Sequence, residues 1–238
     1  MATFPLFQTS YLRQAADLRD AQRLHAWYQA IAAQSFFVHA LAESGTFNPW
    51  IDIYQHHTIP AGVSAPAQQA IATFSQGTGN SLACEATHVQ DEFTMLASVL
   101  PDDGTTVLLI DSGLLSTPAV TRRNEALLLE QIVLSYEHWH PFFGLLSSES
   151  PAPAQVDRSA VLAGTMPGLF EITLLGPELV TALGQARVLS APAWRVQALH
   201  DGGALIVPGP YLDNDPAYPY QATRDAVARH LGLRFIGM

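Results

Sequence analysis

Lysine is absent from this chain, and cysteine occurs once, at Cys84. Without lysine there is no side-chain amine to form a Schiff base, which excludes attachment of pyridoxal phosphate. A single thiol cannot form an intramolecular disulfide, and this is typical of a reducing compartment. Long apolar runs are missing too: the longest, such as 107–110 and 126–129, fall far short of the roughly 20 residues of a membrane-spanning helix.

We expect no secretion signal, because neither a basic region nor a continuous apolar region precedes Arg13. We therefore expect a cytoplasmic protein. Hydrophobic residues make up 48% of the chain and charged residues 13%, which predicts a stable core rather than disorder. We expect a single domain over 1–238, with a possible subdivision near 147–154, where serine and proline are enriched.

The charge is acidic and unevenly distributed. All 11 cations are arginines, and 21 carboxylates give a net charge of −10. No arginine lies between Arg23 and Arg122, whereas eight carboxylates do. Such a surface repels nucleic acid and acidic membranes and attracts a basic protein, although acidity can also serve solubility alone. The candidate partner-binding residues in this segment are Glu85, Asp91, Glu92, Asp102 and Asp103.

The apolar spacing predicts an α+β fold, mainly an antiparallel sheet with packed helices. The long central helix is predicted over 118–139 and ends before Pro141. Strands are predicted over 82–88, 92–100 and 105–110 as a meander, and a hairpin turns at Asp201-Gly202-Gly203. A C-terminal helix is predicted to be capped by Asp215 and to end at Gly232. Further strands are predicted over 35–41, 50–54 and 169–175, and further helices over 14–33, 64–74 and 177–183.

The histidines invite a metal or catalytic hypothesis. His56 and His57 are neighbours on a predicted strand and point to opposite faces, so one ion cannot bind both. Glu137, His138 and His140 lie at the end of the long helix, where positions i and i+2 do not share a face. We therefore expect no metal and no cofactor. The alternative is a small hydrolase or metal-dependent enzyme that uses His138 or His140 with Glu137.

Other catalytic patterns are missing. Cys84 is followed by Glu85, and nearby negative charge raises a thiol pKa and makes the thiol less reactive. The segment 77–80, GTGN, lacks the third glycine and the lysine of phosphate-binding loops. No serine lies on a glycine-flanked nucleophile turn. We expect no catalytic residues and a protein that acts by binding.

Three segments in the C-terminal half carry a family resemblance. They are 127–141 (LLLEQIVLSYEHWHP), 170–177 (FEITLLGP) and 196–207 (VQALHDGGALIV), the last followed by 213–216 (DNDP) and a helix. In these segments the chain resembles bacterial polymorphic-toxin immunity proteins, especially the immunity protein 52 family and related type VI secretion immunity proteins. The resemblance implies that the chain neutralises a secreted toxin, and that this toxin has the restriction-endonuclease fold. Because a nuclease needs positive charge to hold DNA, an acidic inhibitor could block its DNA-binding surface.

Overall fold

The computed structural model describes eleven segments of the chain. They are residues 6–13, 15–32, 37–44, 55–59, 65–77, 81–88, 94–100, 104–110, 118–147, 156–210 and 219–235. No helix among these residues is both long and apolar enough to cross a membrane.

Strands and helices alternate irregularly along the chain, as expected for an α+β protein. The strands are β1 (Leu6–Tyr11), β2 (Phe37–Ser44), β3 (Gln55–Ile59), β4 (Ser81–His88), β5 (Thr94–Leu100), β6 (Thr105–Ile110), β7 (Phe143–Ser147), β8 (Thr165–Met166), β9 (Ile172–Leu175), β10 (Arg195–Ala198), β11 (Ala204–Val207) and β12 (Arg234–Phe235). The α-helices are α1 (Ala21–Ala32), α2 (Ala65–Ser75), α3 (Pro118–Trp139), α4 (Arg158–Leu162), α5 (Pro177–Leu183), α6 (Gln185–Leu189) and α7 (Tyr220–Leu231). A short 3-10 helix, Ala15–Arg19, precedes α1.

Ten of the strands form one sheet in the order β10-β11-β9-β7-β1-β6-β5-β4-β2-β3. Every neighbouring pair in this sheet is antiparallel, and the remaining strands, β8 and β12, form a small parallel pair. The predicted fold class, α+β with a mainly antiparallel sheet, is confirmed. The predicted β4-β5-β6 meander is confirmed as well, since these three strands are neighbours in chain order.

Strand β1 lies at the centre of the sheet, between β6 and β7. Thr9 pairs with Val107 on one side and with Leu145 on the other. The residues before and after 148–155 also meet in this sheet, because β7 pairs with β9. The division of the chain into domains stays a prediction.

Helices cover both faces of the sheet at the β10 end, as the side chains of β11 show, since they point alternately into two apolar clusters. Leu205 and Val207 join the apolar cluster of α1, α2 and α3, whereas Ala204 and Ile206 join the cluster of α4 to α7. Since successive side chains of a strand point to opposite faces, each cluster covers one face. A strand in such a layered arrangement is buried on both sides, and all four residues of β11 are buried.

The long helix α3 begins at Pro118 and ends at Trp139, as predicted. His140 follows in the left-handed conformation with φ +48°, and its backbone N–H donates to the carbonyl of Tyr136 at 2.7 Å. Trp139 packs edge-on against Trp27 of α1, with ring centroids 5.3 Å apart. These contacts fix the end of α3 against α1.

The C-terminal helix differs from its prediction at one end. The helix α7 begins at Tyr220, with Pro219 rather than Asp215 at the N-cap position, and it ends at Gly232 with φ +71°, as predicted. The cap prediction was wrong, because the helix starts four residues later than a helix capped by Asp215 would. The predicted strand 50–54 lies outside the described residues.

Candidate functional site

The predicted partner-binding carboxylates are mostly outside the described residues. Asp91, Glu92, Asp102 and Asp103 all fall between described segments. Glu85 lies in β4, where its backbone pairs with Ala40 of β2 and Leu96 of β5. The role of these residues in partner binding stays a prediction.

The other predicted candidates, Glu137, His138 and His140, lie at the end of α3, and their side chains contact different neighbours. The ring of His138 faces α1, where Nε2 lies 2.8 Å from the carbonyl oxygen of Arg23. The Arg23 guanidinium in turn donates to the carbonyls of His138 and Trp139, at 3.1 Å each. Burial is the main cause that lowers the pKa of His138, to about 4. At neutral pH the ring is therefore uncharged, and its Nε2–H donates to the Arg23 carbonyl.

Glu137 and His140 face a different partner, the turn between β10 and β11. Nδ1 of His200 lies 3.1 Å from Oε1 of Glu137, and Nδ1 of His140 lies 3.4 Å from Oδ2 of Asp201. The His140 and His200 ring centroids are 6.2 Å apart. Two histidine–carboxylate pairs therefore stand side by side where the helix meets the turn, which we call the α3–turn cluster: Tyr136, Glu137, His140, His200 and Asp201.

Tyr136 is the buried member of the α3–turn cluster. Its hydroxyl donates to the Asp201 carboxylate, at 3.2 Å from Oδ1 and 3.1 Å from Oδ2. Burial and then the neighbouring Asp201 charge raise the pKa of Tyr136, so the hydroxyl keeps its proton and stays a donor. Oδ1 of Asp201 also accepts from the backbone N–H of Gly203 at 2.9 Å. Asp201 thus fastens its own turn and the turn to α3.

The chemistry open to the cluster is limited by what stands around it. Three of its side chains are exposed, at 44% for Glu137, 48% for His140 and 60% for His200, so water screens their charges. Among the described residues no group of three or more histidine, cysteine, aspartate or glutamate side chains is placed to hold a metal ion. The described hydrogen bonds of the His140 ring lead to Asp201 and to no serine or cysteine. The arrangement holds a turn and presents exposed polar groups.

Sequence reasoning found one half of this cluster and missed the other. It singled out Glu137, His138 and His140, of which the structure brings Glu137 and His140 into the cluster and turns His138 toward α1. It missed His200 and Asp201 as members, although it predicted the Asp201 turn as the tip of a hairpin. A turn-forming aspartate followed by two glycines marks such a tip but does not indicate which helix lies beneath it.

The fold defines the class of protein: an antiparallel ten-stranded sheet with helices on both faces. No protein-family model matches the sequence, and no curated protein matches it. The predicted membership of the immunity protein 52 family thus gains no support. Among solved structures, the Pseudomonas aeruginosa T6SS protein PA0821 is similar, with a TM-score of 0.53 and 13% sequence identity over 97% of this chain and 74% of that chain. At this identity the likeness shows a common fold.

Proposed function

We propose that this chain is an immunity protein that binds and neutralises a secreted antibacterial toxin of a type VI secretion system. It acts in the cytoplasm by binding rather than by catalysis, and its partner is a basic nuclease. The setting is supported by the fold likeness to a protein named as a T6SS protein, which extends over nearly the whole chain. The mode of action is supported by the distribution of charge.

The arginine-free segment forms one continuous half of the sheet, and this observation carries the proposal. Strands β2 to β6 all come from residues 37–110, and they occupy adjacent places in the order β6-β5-β4-β2-β3. We call β2 to β6 the acidic half; of the eight carboxylates between Arg23 and Arg122, the structure describes Glu43 in β2 and Glu85 in β4. A one-sign surface of this kind steers an oppositely charged protein toward it and speeds its association.

A nuclease fits such a surface because its own substrate is a polyanion. The surface that holds DNA must carry positive charge, and an acidic protein that covers it competes with the phosphate backbone. The inhibitor need not reproduce the shape of DNA, since charge complementarity sets the encounter and contacts in the interface set the lifetime. The predicted contacts are Glu85, Asp91, Glu92, Asp102 and Asp103.

A direct test pairs this chain with the product of the gene beside it. We expect co-purification of the two proteins, and we expect this chain to protect cells that express the neighbour. Absence of a complex at micromolar concentration, together with absence of protection, would overturn the proposal.

Charge reversal tests the acidic half separately from the fold. We expect Asp102→Arg with Asp103→Arg to slow association about tenfold and to weaken the salt dependence of the association rate. The matched control is Asp225→Arg, which reverses an exposed carboxylate on α7 in the other half. Equal rates for all three proteins, at low and at high salt, would mean that the acidity serves solubility.

An enzyme is the competing proposal, and the exposed His140–Asp201 pair is the observation in its favour. A carboxylate that orients an imidazole is a common part of catalytic sites. In this chain, however, Asp201 already accepts from Tyr136 and Gly203, which accounts for it as an anchor of the turn. Metal in the purified protein, or a turnover that His140→Ala abolishes, would favour the enzyme.

A further inference from the structure

The far end of the sheet, opposite the acidic half, carries an unusual surface. Strand β10 is the last strand in the sheet order, so one side of its backbone pairs with β11 and no described strand pairs with the other. Leu189 and Trp194 flank the connection from α6 to β10, and they are 42% and 48% exposed. Among the described residues these are the large hydrophobic side chains that stand exposed. We call this surface the β10 edge: Leu189, Trp194, Arg187, Arg195 and the backbone edge of β10 with which no described strand pairs.

The charge of the β10 edge is opposite to that of the chain as a whole. The sequence from 179 to 200 contains Arg187 and Arg195 and no carboxylate, and the sequence from 226 to 238 contains Arg229 and Arg234 and no carboxylate. All four arginines are exposed. Within the described part of the chain, none of them forms an ion pair with a carboxylate, in contrast to Arg13, Arg23, Arg158 and Arg224.

The two acid-free segments are neighbours in space. Nε2 of His230 on α7 lies 2.9 Å from the carbonyl oxygen of Arg187 and 3.3 Å from Oγ of Ser190. The Arg187 guanidinium lies beside Gly232, just past the end of α7. Helix α6 packs against both α7 and β10. Positive charge, an open strand edge and two apolar side chains thus meet at one end of a protein whose net charge is −10.

We propose that the β10 edge binds an acidic, extended segment of a partner protein, which adds to the sheet as a further strand. An open edge offers a row of backbone donors and acceptors to an extended chain and to no other peptide conformation. Trp194 supplies a rigid apolar anchor of the kind that dominates binding energy in small interfaces. The unpaired arginines select carboxylates on the segment, because fork-shaped guanidinium groups bind them through paired hydrogen bonds.

Alternation along β10 assigns the contacts to the two faces. Val196 and Ala198 pair with Ile206 and Ala204, which point to the face of α6, and Trp194 stands exposed in the bend just before the strand. Arg195 points to the opposite face, where its guanidinium donates to Oε1 of Gln197 at 2.8 Å. A segment that alternates acidic and apolar residues therefore meets apolar surface on one face and Arg195 on the other.

This inference goes beyond the proposed function, since the β10 edge and the acidic half lie at opposite ends of the sheet. A basic toxin at β2 to β6 would leave β10 open. The two surfaces can thus be tested apart, and failure at one does not decide the other.

The probe is a short fluorescein-labelled peptide that alternates glutamate with valine, titrated with the full chain and followed by fluorescence anisotropy. Two matched peptides accompany it: one has lysine in place of glutamate, and the other is N-methylated at every residue, which removes the backbone donors of both edges. We expect binding of the first peptide alone. Equal binding of the N-methylated peptide would overturn strand addition, and equal binding of the lysine peptide would overturn the charge selection.

Variants locate the binding on the chain. We expect Trp194→Ala to raise the Kd of the glutamate peptide about tenfold and Arg195→Gln to raise it about threefold. Arg158→Gln is the control, because it removes the same charge from exposed α4. Unchanged urea midpoints confirm that the variants fold. An unchanged Kd in Trp194→Ala, or no binding of any peptide, would overturn the proposal. A dimer in solution that Trp194→Arg dissociates would also overturn it, because a second copy of the chain would then occupy the β10 edge.

Discussion

The hydroxyl of Tyr136 lies 3.1 Å from Oδ2 of Asp201, and this contact joins two parts of the chain that are 65 residues apart. Tyr136 sits in the last turn of α3 with its ring in the apolar cluster of α1 to α3. Asp201 forms the turn from β10 to β11 and is 15% exposed. The contact therefore ties the core to the end of the sheet that carries the β10 edge.

Removal of the Tyr136 hydroxyl tests how much this tie stabilises the fold. We expect Tyr136→Phe to lower the free energy of unfolding by about 1.5–3 kcal/mol, the usual range for a hydrogen bond to a charged group. Urea denaturation measures the loss. In a double-mutant cycle with Asp201→Asn, the two losses should add to more than the loss in the double variant, whereas strict additivity would show that the residues do not interact.

Gly203 is placed where no side chain fits. A Cβ atom there would lie 2.0 Å from the Tyr136 hydroxyl and 2.8 Å from the carbonyl oxygen of Leu175, both far inside van der Waals contact. We expect Gly203→Ala to lower the free energy of unfolding by about 3 kcal/mol, because the turn must leave α3. Gly168→Ala is the control: its Cβ would meet only the ring of Phe170, at 3.3 Å, which can give way. Equal urea midpoints for the two variants would contradict the packing.

The elements that could be predicted from the sequence have local signals. The bounds of α3 follow from the spacing of its apolar residues and from Pro141, which stands just past its end. The turn at Asp201 follows from its glycines. Strand β1 was missed because its buried residues Gln8, Thr9 and Ser10 are polar, although the sheet covers them. A buried strand whose residues are polar shows neither the apolar alternation nor the apolar run by which a strand is recognised in a sequence.

The α3–turn cluster could be predicted only in part, for a different reason. Glu137 and His140 were identified because they stand together in the sequence, but their partners His200 and Asp201 lie about 60 residues away. No pattern within one segment indicates which distant turn a helix end will meet. That pairing follows from the sheet order, which places β11 beside β9 and β9 beside β7, the strand that follows α3.

Two tryptophans allow a comparison of core and surface. Trp27 is fully buried, contacts Tyr28 and Trp139, and donates from Nε1 to Oγ of Ser135 at 3.2 Å. We expect Trp27→Ala to lower the free energy of unfolding by about 3–5 kcal/mol, the cost of a large cavity. Trp194→Ala should change it by less than about 0.5 kcal/mol, since Trp194 is exposed. A large loss in Trp194→Ala would mean that this side chain supports the fold rather than serving as an anchor.

The lowered pKa of His138 predicts that the free energy of unfolding depends on pH. Burial lowers its pKa to about 4 in the folded chain, helped by the Arg23 guanidinium and by His140, whereas the pKa of a histidine in an unfolded chain is about 6.5. Between these values the unfolded chain binds a proton that the folded chain does not. The stabilisation is therefore complete above about pH 6.5, and it is lost as the pH falls toward about 4.

The variant His138→Gln isolates this contribution, because a glutamine amide can still donate toward the Arg23 carbonyl but does not titrate. We expect the free energy of unfolding of the variant, measured in urea at several pH values, to fall less steeply than that of the native chain between about pH 6.5 and 4. Glu178→Gln is the control. The hydrogen bond from Arg158, with the Arg13 charge, lowers the pKa of Glu178, so its contribution is present above about pH 4.3 and is lost only below it. The contradicting outcome is a slope between pH 4.5 and 6.5 that changes in Glu178→Gln and not in His138→Gln. His138 would then not be the titrating group, and the conclusion that it is buried and neutral would be wrong.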